Sequence, residues 1–404
     1  MLPSTLETQP PLFQTLENEL SARFDEVREL RWDLHRHPCL SGDEKDSADR
    51  IRRWLSERVT PSEVVEGLGE TGLAVVFDSG RPGSTVLLRS ELDALPLDDL
   101  PEMPHRSTRP GIAHKCGHDG HSAIISAVGL LLERFPLPTG RAVLLYQPAE
   151  ETGRGARQVI ADPRFSDLRA DWAFGLHNVP GLPLGQIRYR TGPFCPASEG
   201  IEIRLVGGPS HAGEPHNGRN PARAMAQMIT SFCGLPTELG GLNAVGLVTP
   251  THLRMGEKDF GLSPGEGIAC FTVRAETNEK LHHLVDTMKS RTCMIGSAYG
   301  LEVEFLRHDP FSATLNSPEG TRVLDQAFQH LGFPTESVDS VFPWSEDFGE
   351  FLSLMPGAFF ALGSGEDCPS LHTYEYDFPD SLITRGAAAL YTAAWIAVSG
   401  QGKE

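Results

Sequence analysis

The chain has 404 residues, 39% of them hydrophobic and 22% charged, with a formal net charge of −19 at pH 7. That length exceeds one ordinary core and calls for two domains, while the even composition excludes a disordered or fibrous chain. The acidity argues against nucleic acid or an anionic membrane surface as partner and suits small-molecule chemistry.

From the start, residues 1–26 are acidic and amphipathic, without the basic and apolar regions of a secretory signal. Leu12 to His37 reads as a helix, with Phe13, Leu16, Leu20, Phe24, Val27, Leu30 and Leu34 at helical spacing and Pro38 as its stop. Ser47 to Trp54 is a second helix. Gly72–Phe77 and Thr85–Arg89 are short apolar strands, and a helix begins near Asp119 and runs through Leu132. Arg141–Tyr146 and Asp171–Gly175 follow as buried strands. Apolar strands alternating with helices predict a mixed α/β sheet covered on both faces.

The style changes near Thr191. Ile201–Val206 alternates apolar and charged residues as a half-exposed strand does. Pro221–Phe232 is an amphipathic helix, Ala244–Thr249 and Ile268–Arg274 are strands, Glu279–Ser297 is a long helix and Leu301–Leu306 a last strand. That order predicts an inserted α+β, ferredoxin-like satellite domain over residues 195–309. Residues 1–194 and 310–404 then form the α/β catalytic domain. No apolar run reaches the roughly 18 to 20 residues that span a bilayer. The seven cysteines are odd in number and scattered, which reads as reduced thiols and a cytoplasmic address.

Two knots of chemistry stand out. The first contains His114, Cys116, His118, Asp119 and His121; the second is the pair Glu150-Glu151 after an apolar strand. Cys116-Gly117-His118 offers a thiol and an imidazole at the mouth of a helix, whose N-terminus favours the thiolate. Adjacent carboxylates repel, so burying both requires a cation or a shared proton. One can bind metal while the other acts as general base. Each signal also has a plainer reading: a buried thiol beside a capping histidine, a solvated charge pair, and strand-end histidines at His177 and His372. His35, His37, His105, His282, His283 and His330 read as surface or packing residues.

With these residues in place, the chain resembles the dinuclear-metal N-acyl-amino-acid amidohydrolases, the group of hippurate hydrolases, aminoacylases and auxin-conjugate hydrolases. The matching runs are Leu34–Pro38, Arg89–Pro96, His114–His121, Gln147–Glu151, Leu176-His177, Gly207–Ala212, Ser345–Phe348 and Leu371-His372, in family order. The resemblance implies two divalent ions (zinc, manganese, cobalt or nickel) held by Cys116 as bridge with His118, Glu151, His177 and His372. It implies Glu150 as general base, Asp93 as a carboxylate orienting a ligand, and His211 from the satellite domain as the group that steadies the oxyanion. Arg274 is a candidate for the substrate carboxylate, with a salt-bridge role as the alternative. The resemblance also implies that the satellite domain is a dimerisation surface.

The expected activity is hydrolysis of the amide of an N-acyl amino acid by metal-activated water. Rival expectations are a carboxypeptidase or dipeptidase, hydrolytic deamination of an aromatic amino acid, and a silent relative that only binds such conjugates. Four departures from the family pattern bear on substrate: Glu91 where an Asp is common, Arg154 after the paired glutamates, Gly261–Pro264 in place of an Asn-containing loop, and Trp344 in place of a glycine.

Overall fold

The computed structural model describes residues 11–100, 102–168, 170–241 and 246–400. They form two compact units, Met1–Phe194 with Thr314–Ser340 and Asp347–Glu404, and Cys195–Ala313 with Val341–Glu346. The first ten residues of the acidic N-terminal stretch, and the Ala244–Val245 start of one predicted strand, lie outside the described residues.

The first unit is built on an eight-stranded mixed sheet, in the order Glu63–Leu68, Gly72–Asp78, Arg141–Gln147, Thr85–Glu91, Trp172–Val179, Gly357–Gly363, Ile187–Tyr189 and Thr335–Ser337. The middle four strands run parallel. Their near-continuous apolar runs are buried throughout, because helices cover both faces. The helices His118–Arg134 and Leu382–Val398 are apolar around most of their circumference and are buried almost end to end. The carboxyl ends of the parallel strands therefore open at one edge of the sheet, where α/β folds bind ligands.

The predicted first helix is two, Phe13–Ala22 and Phe24–Arg36. Arg23, at φ −120°, bonds its N–H back three residues to the Leu20 carbonyl and shifts the ladder while the apolar stripe continues. Among the described residues no helix is long and apolar enough to cross a membrane.

The second unit carries a four-stranded antiparallel sheet, ordered Leu247–Met255, Glu266–Ala275, Ala197–Val206, Glu302–Phe311, with the helices Ala222–Gly240 and Asn278–Ala298. Numbered along the chain, the strand order is 2-3-1-4, the ferredoxin-like arrangement. Its core includes Ile201, Ile203, Phe232, Phe271, Leu284 and Met288. The helix predicted to end at Phe232 runs on through Pro236, which is itself buried. Burial of Leu235 and Pro236 against that core outweighs the lost backbone donor. The last strand likewise continues past Asp309-Pro310 to Phe311.

Candidate metal centre and active site

Each strand end delivers one part of the site. Asp93 follows Thr85–Glu91, Glu150 and Glu151 follow Arg141–Gln147, and His177 closes Trp172–Val179. Cys116 precedes the helix His118–Arg134, with Gly117 between at φ +98°. A Cβ on Gly117 would sit 2.3 Å from Asn178 Oδ1, so only glycine lets Cys116 and His118 turn to one side here. His372 lies on a loop after Gly357–Gly363, its own φ at +61° and its N–H donating to the Lys115 carbonyl at 2.8 Å.

All five residues expected to bind metal lie together. Ligating atoms of Cys116, His118 and His177 fall within 4.8 Å of one another, and so do those of Cys116, Glu151 and His372. Cys116 is common to both groups. Glu150 adds a third grouping with His118 and Glu151, its Oε2 3.7 Å from His118 Nε2.

The imidazoles are oriented from behind. His118 Nδ1 donates to the Asp93 carbonyl at 2.8 Å and lies 3.4 Å from that residue's carboxylate. His177 Nδ1 donates to the Asn178 carbonyl at 2.8 Å, leaving Nε2 3.3 Å from Cys116 Sγ. Both Nε2 lone pairs thus face the cluster, the arrangement that metal-bound histidines adopt. His118 Nε2 is buried and makes no hydrogen bond among the described residues.

Electrostatics point the same way. Burial works against a charged His118, yet the Asp93 hydrogen bond and the charges of Glu91 and Glu151 raise its pKa to about 10. Burial, followed by the charges of Glu151, Glu150 and Glu91, pushes the Cys116 thiol well up. Burial and the surrounding carboxylates thus oppose the thiolate that the helix N-terminus favours, so that form calls for a cation beside it. The cluster demands positive charge, and its soft, imidazole and carboxylate donors fit a divalent transition ion.

Behind the cluster lie partners to which the sequence assigned no role. Glu91, fully buried, accepts from His121 Nδ1 at 2.7 Å and from the Arg89 guanidinium. Arg89 also donates to Asp347 at 2.6 Å and to Gln147 at 2.9 Å. Asn178 donates to the Tyr376 hydroxyl at 2.6 Å.

Of the two readings left open for His35 and His105, packing holds: both are buried, among charges. His35 donates from both ring nitrogens, to Asp119 at 2.8 Å and Asp99 at 3.2 Å. Arg31 reaches Asp377 at 2.8 Å and Asp380 at 2.6 Å, and Lys115 reaches Asp99 at 2.6 Å and the Tyr376 carbonyl at 2.8 Å. This network ties the His372 loop to the first helices. Its sequence signals were the family runs Leu34–Pro38 and His114–His121, neither of which showed this use.

The network has a pH consequence. Burial opposes the charge on His35, but Asp119 and Asp99 outweigh it and raise its pKa. That stability is fully present below about pH 6.5, the unfolded value, and lost as pH rises through the folded one. Burial likewise opposes Asp99, but His35 and Lys115 hold it low, so its contribution is present above about pH 4 and lost in acid. The wild-type advantage in thermal midpoint over a His35→Gln variant should be greatest between about pH 4 and 6.5 and shrink at higher pH. Scanning calorimetry of both proteins across that range checks it; an advantage independent of pH would show His35 uncharged in the fold.

The remaining two candidates lie in the second unit. His211 sits on a two-residue strand paired with Leu262, exposed, with Nδ1 accepting from the Gly213 N–H at 3.0 Å. That bond leaves the proton on Nε2, available to donate. Arg274 is half-buried on Glu266–Ala275 and donates to the Ser345 hydroxyl at 2.7 Å, which donates in turn to the Pro196 carbonyl. Among the described residues it makes no ion pair, so the salt-bridge alternative lacks a partner. Trp344 lies against Phe342, ring centroids 5.3 Å apart.

Comparison with known proteins decides the family. The model for peptidase family M20/M25/M40 matches residues 87–395. The chain belongs to that family. The N-acetylcysteine deacetylase of Bacillus subtilis is 30% identical over 336 residues, covering 83% of this chain and 87% of the relative. The hippurate hydrolase of Campylobacter jejuni is 27% identical over 90% of this chain and 94% of its own length. A dinuclear-metal-binding M20 peptidase from Bacillus subtilis shares the structure, with a TM-score of 0.79 and 26% identity over 94% of this chain and 99% of that one. This M20 protein is therefore a metal-dependent hydrolase of amide bonds.

Proposed function

We propose that this M20 hydrolase cleaves the amide joining an acyl group to an amino acid. The observation that carries the reading is the convergence of Cys116, His118, Glu151, His177 and His372 beside Glu150. Those five would hold two divalent ions, of zinc, manganese, cobalt or nickel, with Cys116 shared between them. Such ions supply Lewis acidity that brings the pKa of bound water down towards about 7.

The protein's own groups do the rest. Glu150 takes the proton of the attacking water and delivers it to the leaving nitrogen. Asp93 keeps the His118 lone pair aimed inward through the carbonyl bond at 2.8 Å. His211, with its proton on Nε2, donates to the oxyanion that develops on the carbonyl, a type of contact typically worth on the order of 100-fold in rate. Arg274, with no ion-pair partner among the described residues, receives the substrate's carboxylate.

Residues 1–194 and 310–404 are the catalytic domain in this reading, and residues 195–309 the satellite domain. The satellite sheet ends on the strand Leu247–Met255, which exposes Leu247, Leu253 and Met255 and supports pairing of two copies into a homodimer. None of the seven cysteines is disulfide-bonded, which supports a reducing, cytoplasmic address.

A carboxypeptidase reading has one observation in its favour: a thermostable carboxypeptidase of Saccharolobus solfataricus is 27% identical over 94% of this chain. A panel of N-acyl amino acids, including N-acetyl and N-benzoyl forms, and of dipeptides separates the two. The metal-loaded protein should turn over N-acyl amino acids at least about tenfold faster than dipeptides, and excess chelator should abolish both activities. Preference for dipeptides would replace this reading with the peptidase one, and activity indifferent to chelator would remove the metal.

A further inference from the structure

The loop that carries Glu150 is held in an unfavourable shape. Ala149 sits at φ +49°, a left-handed conformation that costs a residue with a Cβ. Such strain persists only where neighbours over-determine it. Here the neighbours are two buried carboxylates. The Ala149 N–H donates to Glu44 Oε1 at 2.8 Å, and the Glu151 N–H donates to Asp93 Oδ2 at 2.9 Å. The two amides that flank Glu150 are each pinned to a separate carboxylate.

Glu44 is fully buried and satisfied: it also accepts from the Gly42 N–H at 2.8 Å and from the Thr71 hydroxyl at 2.5 Å. Ser41, three residues earlier, donates to the same Asp93 oxygen at 2.7 Å. One short segment, 41–44, therefore reaches both halves of the clamp. A buried carboxylate costs free energy unless its hydrogen bonds are complete, and Glu44 directs one of them onto the strained residue beside the base.

We infer that Glu44 is a positioning residue of the reaction: by holding Ala149 left-handed it aims Glu150 and Glu151 into the cluster, without touching substrate or ion. The inference rests on Glu150 being the general base.

Two substitutions separate placement from charge. Glu44→Gln keeps the length and one acceptor oxygen for the Ala149 N–H, but not the charge; Glu44→Asp keeps the charge but falls one methylene short. Metal content, kcat and KM on N-acyl amino acids, and hydrogen exchange of the 148–153 amides are measured on the full, metal-supplemented chain. Glu44→Gln should keep kcat within about threefold of wild type with unchanged exchange. Glu44→Asp should lower kcat about tenfold or more with KM little changed, and speed exchange at Ala149 and Glu151. Wild-type kcat and exchange in Glu44→Asp would overturn the assignment, and so would a tenfold or greater loss of kcat in Glu44→Gln with unchanged exchange, since that marks a role for charge rather than placement. If the wild-type chain hydrolyses none of the substrates, the functional reading fails, while the exchange contrast still decides what Glu44 does to the loop.

Discussion

Glu150→Gln should lower kcat by roughly 10²- to 10⁴-fold, the range typical for loss of a general acid–base group, while the protein keeps its full complement of metal. The amide is nearly the same size as the carboxylate it replaces, so the buried position beside His118 is preserved. What disappears is the ability to accept a proton from water and hand it to the leaving nitrogen. KM should change little, because the lost interaction is made in the transition state. Elemental analysis alongside steady-state kinetics gives both readouts. Near-wild-type turnover would take Glu150 out of the mechanism.

Cys116→Ala should be the most damaging change to metal binding. Cys116 is the one residue present both in the grouping with His118 and His177 and in the grouping with Glu151 and His372. Losing it strips a donor from each, whereas His177→Ala strips one grouping only. Metal affinity should fall by at least about 100-fold at both positions in Cys116→Ala, beyond what loss of an outer partner costs, and turnover should fall with it. In His177→Ala one ion should remain. Titration of the metal-free variants with cobalt, followed by its absorption bands, counts the ions retained. Two tightly bound ions in Cys116→Ala would exclude the thiol from the site.

These expectations rest on residues of different legibility. Cys116, His118, Glu150 and Glu151 were readable because their chemistry is concentrated in short runs beside apolar strands, and a strand must end where its polar residues begin. His177 and His372 were weak as isolated histidines and gained meaning only through the family pattern. Glu44, Asn178 and Arg31 were not legible at all, and His121 and His35 were visible in the sequence without their roles. A buried Glu44 and a solvated one look the same in a sequence, and the difference lies in Ala149 and Thr71, residues distant along the chain. Likewise the kink at Arg23 and the passage of a helix through Pro236 follow from packing, since local propensity alone favours one uninterrupted helix in the first case and a stop in the second.

By itself the sequence determined four of the eight strands of the central sheet, the insertion of an antiparallel α+β unit and the chemistry of the donor atoms, because hydrophobic period and donor chemistry are local properties. Only the tertiary structure decided which donors share a centre, which nitrogen of each imidazole faces it, and which buried carboxylates hold the loop of the base. Those depend on distances between side chains scores of residues apart, which the parallel strands set by ending side by side at one edge of the sheet.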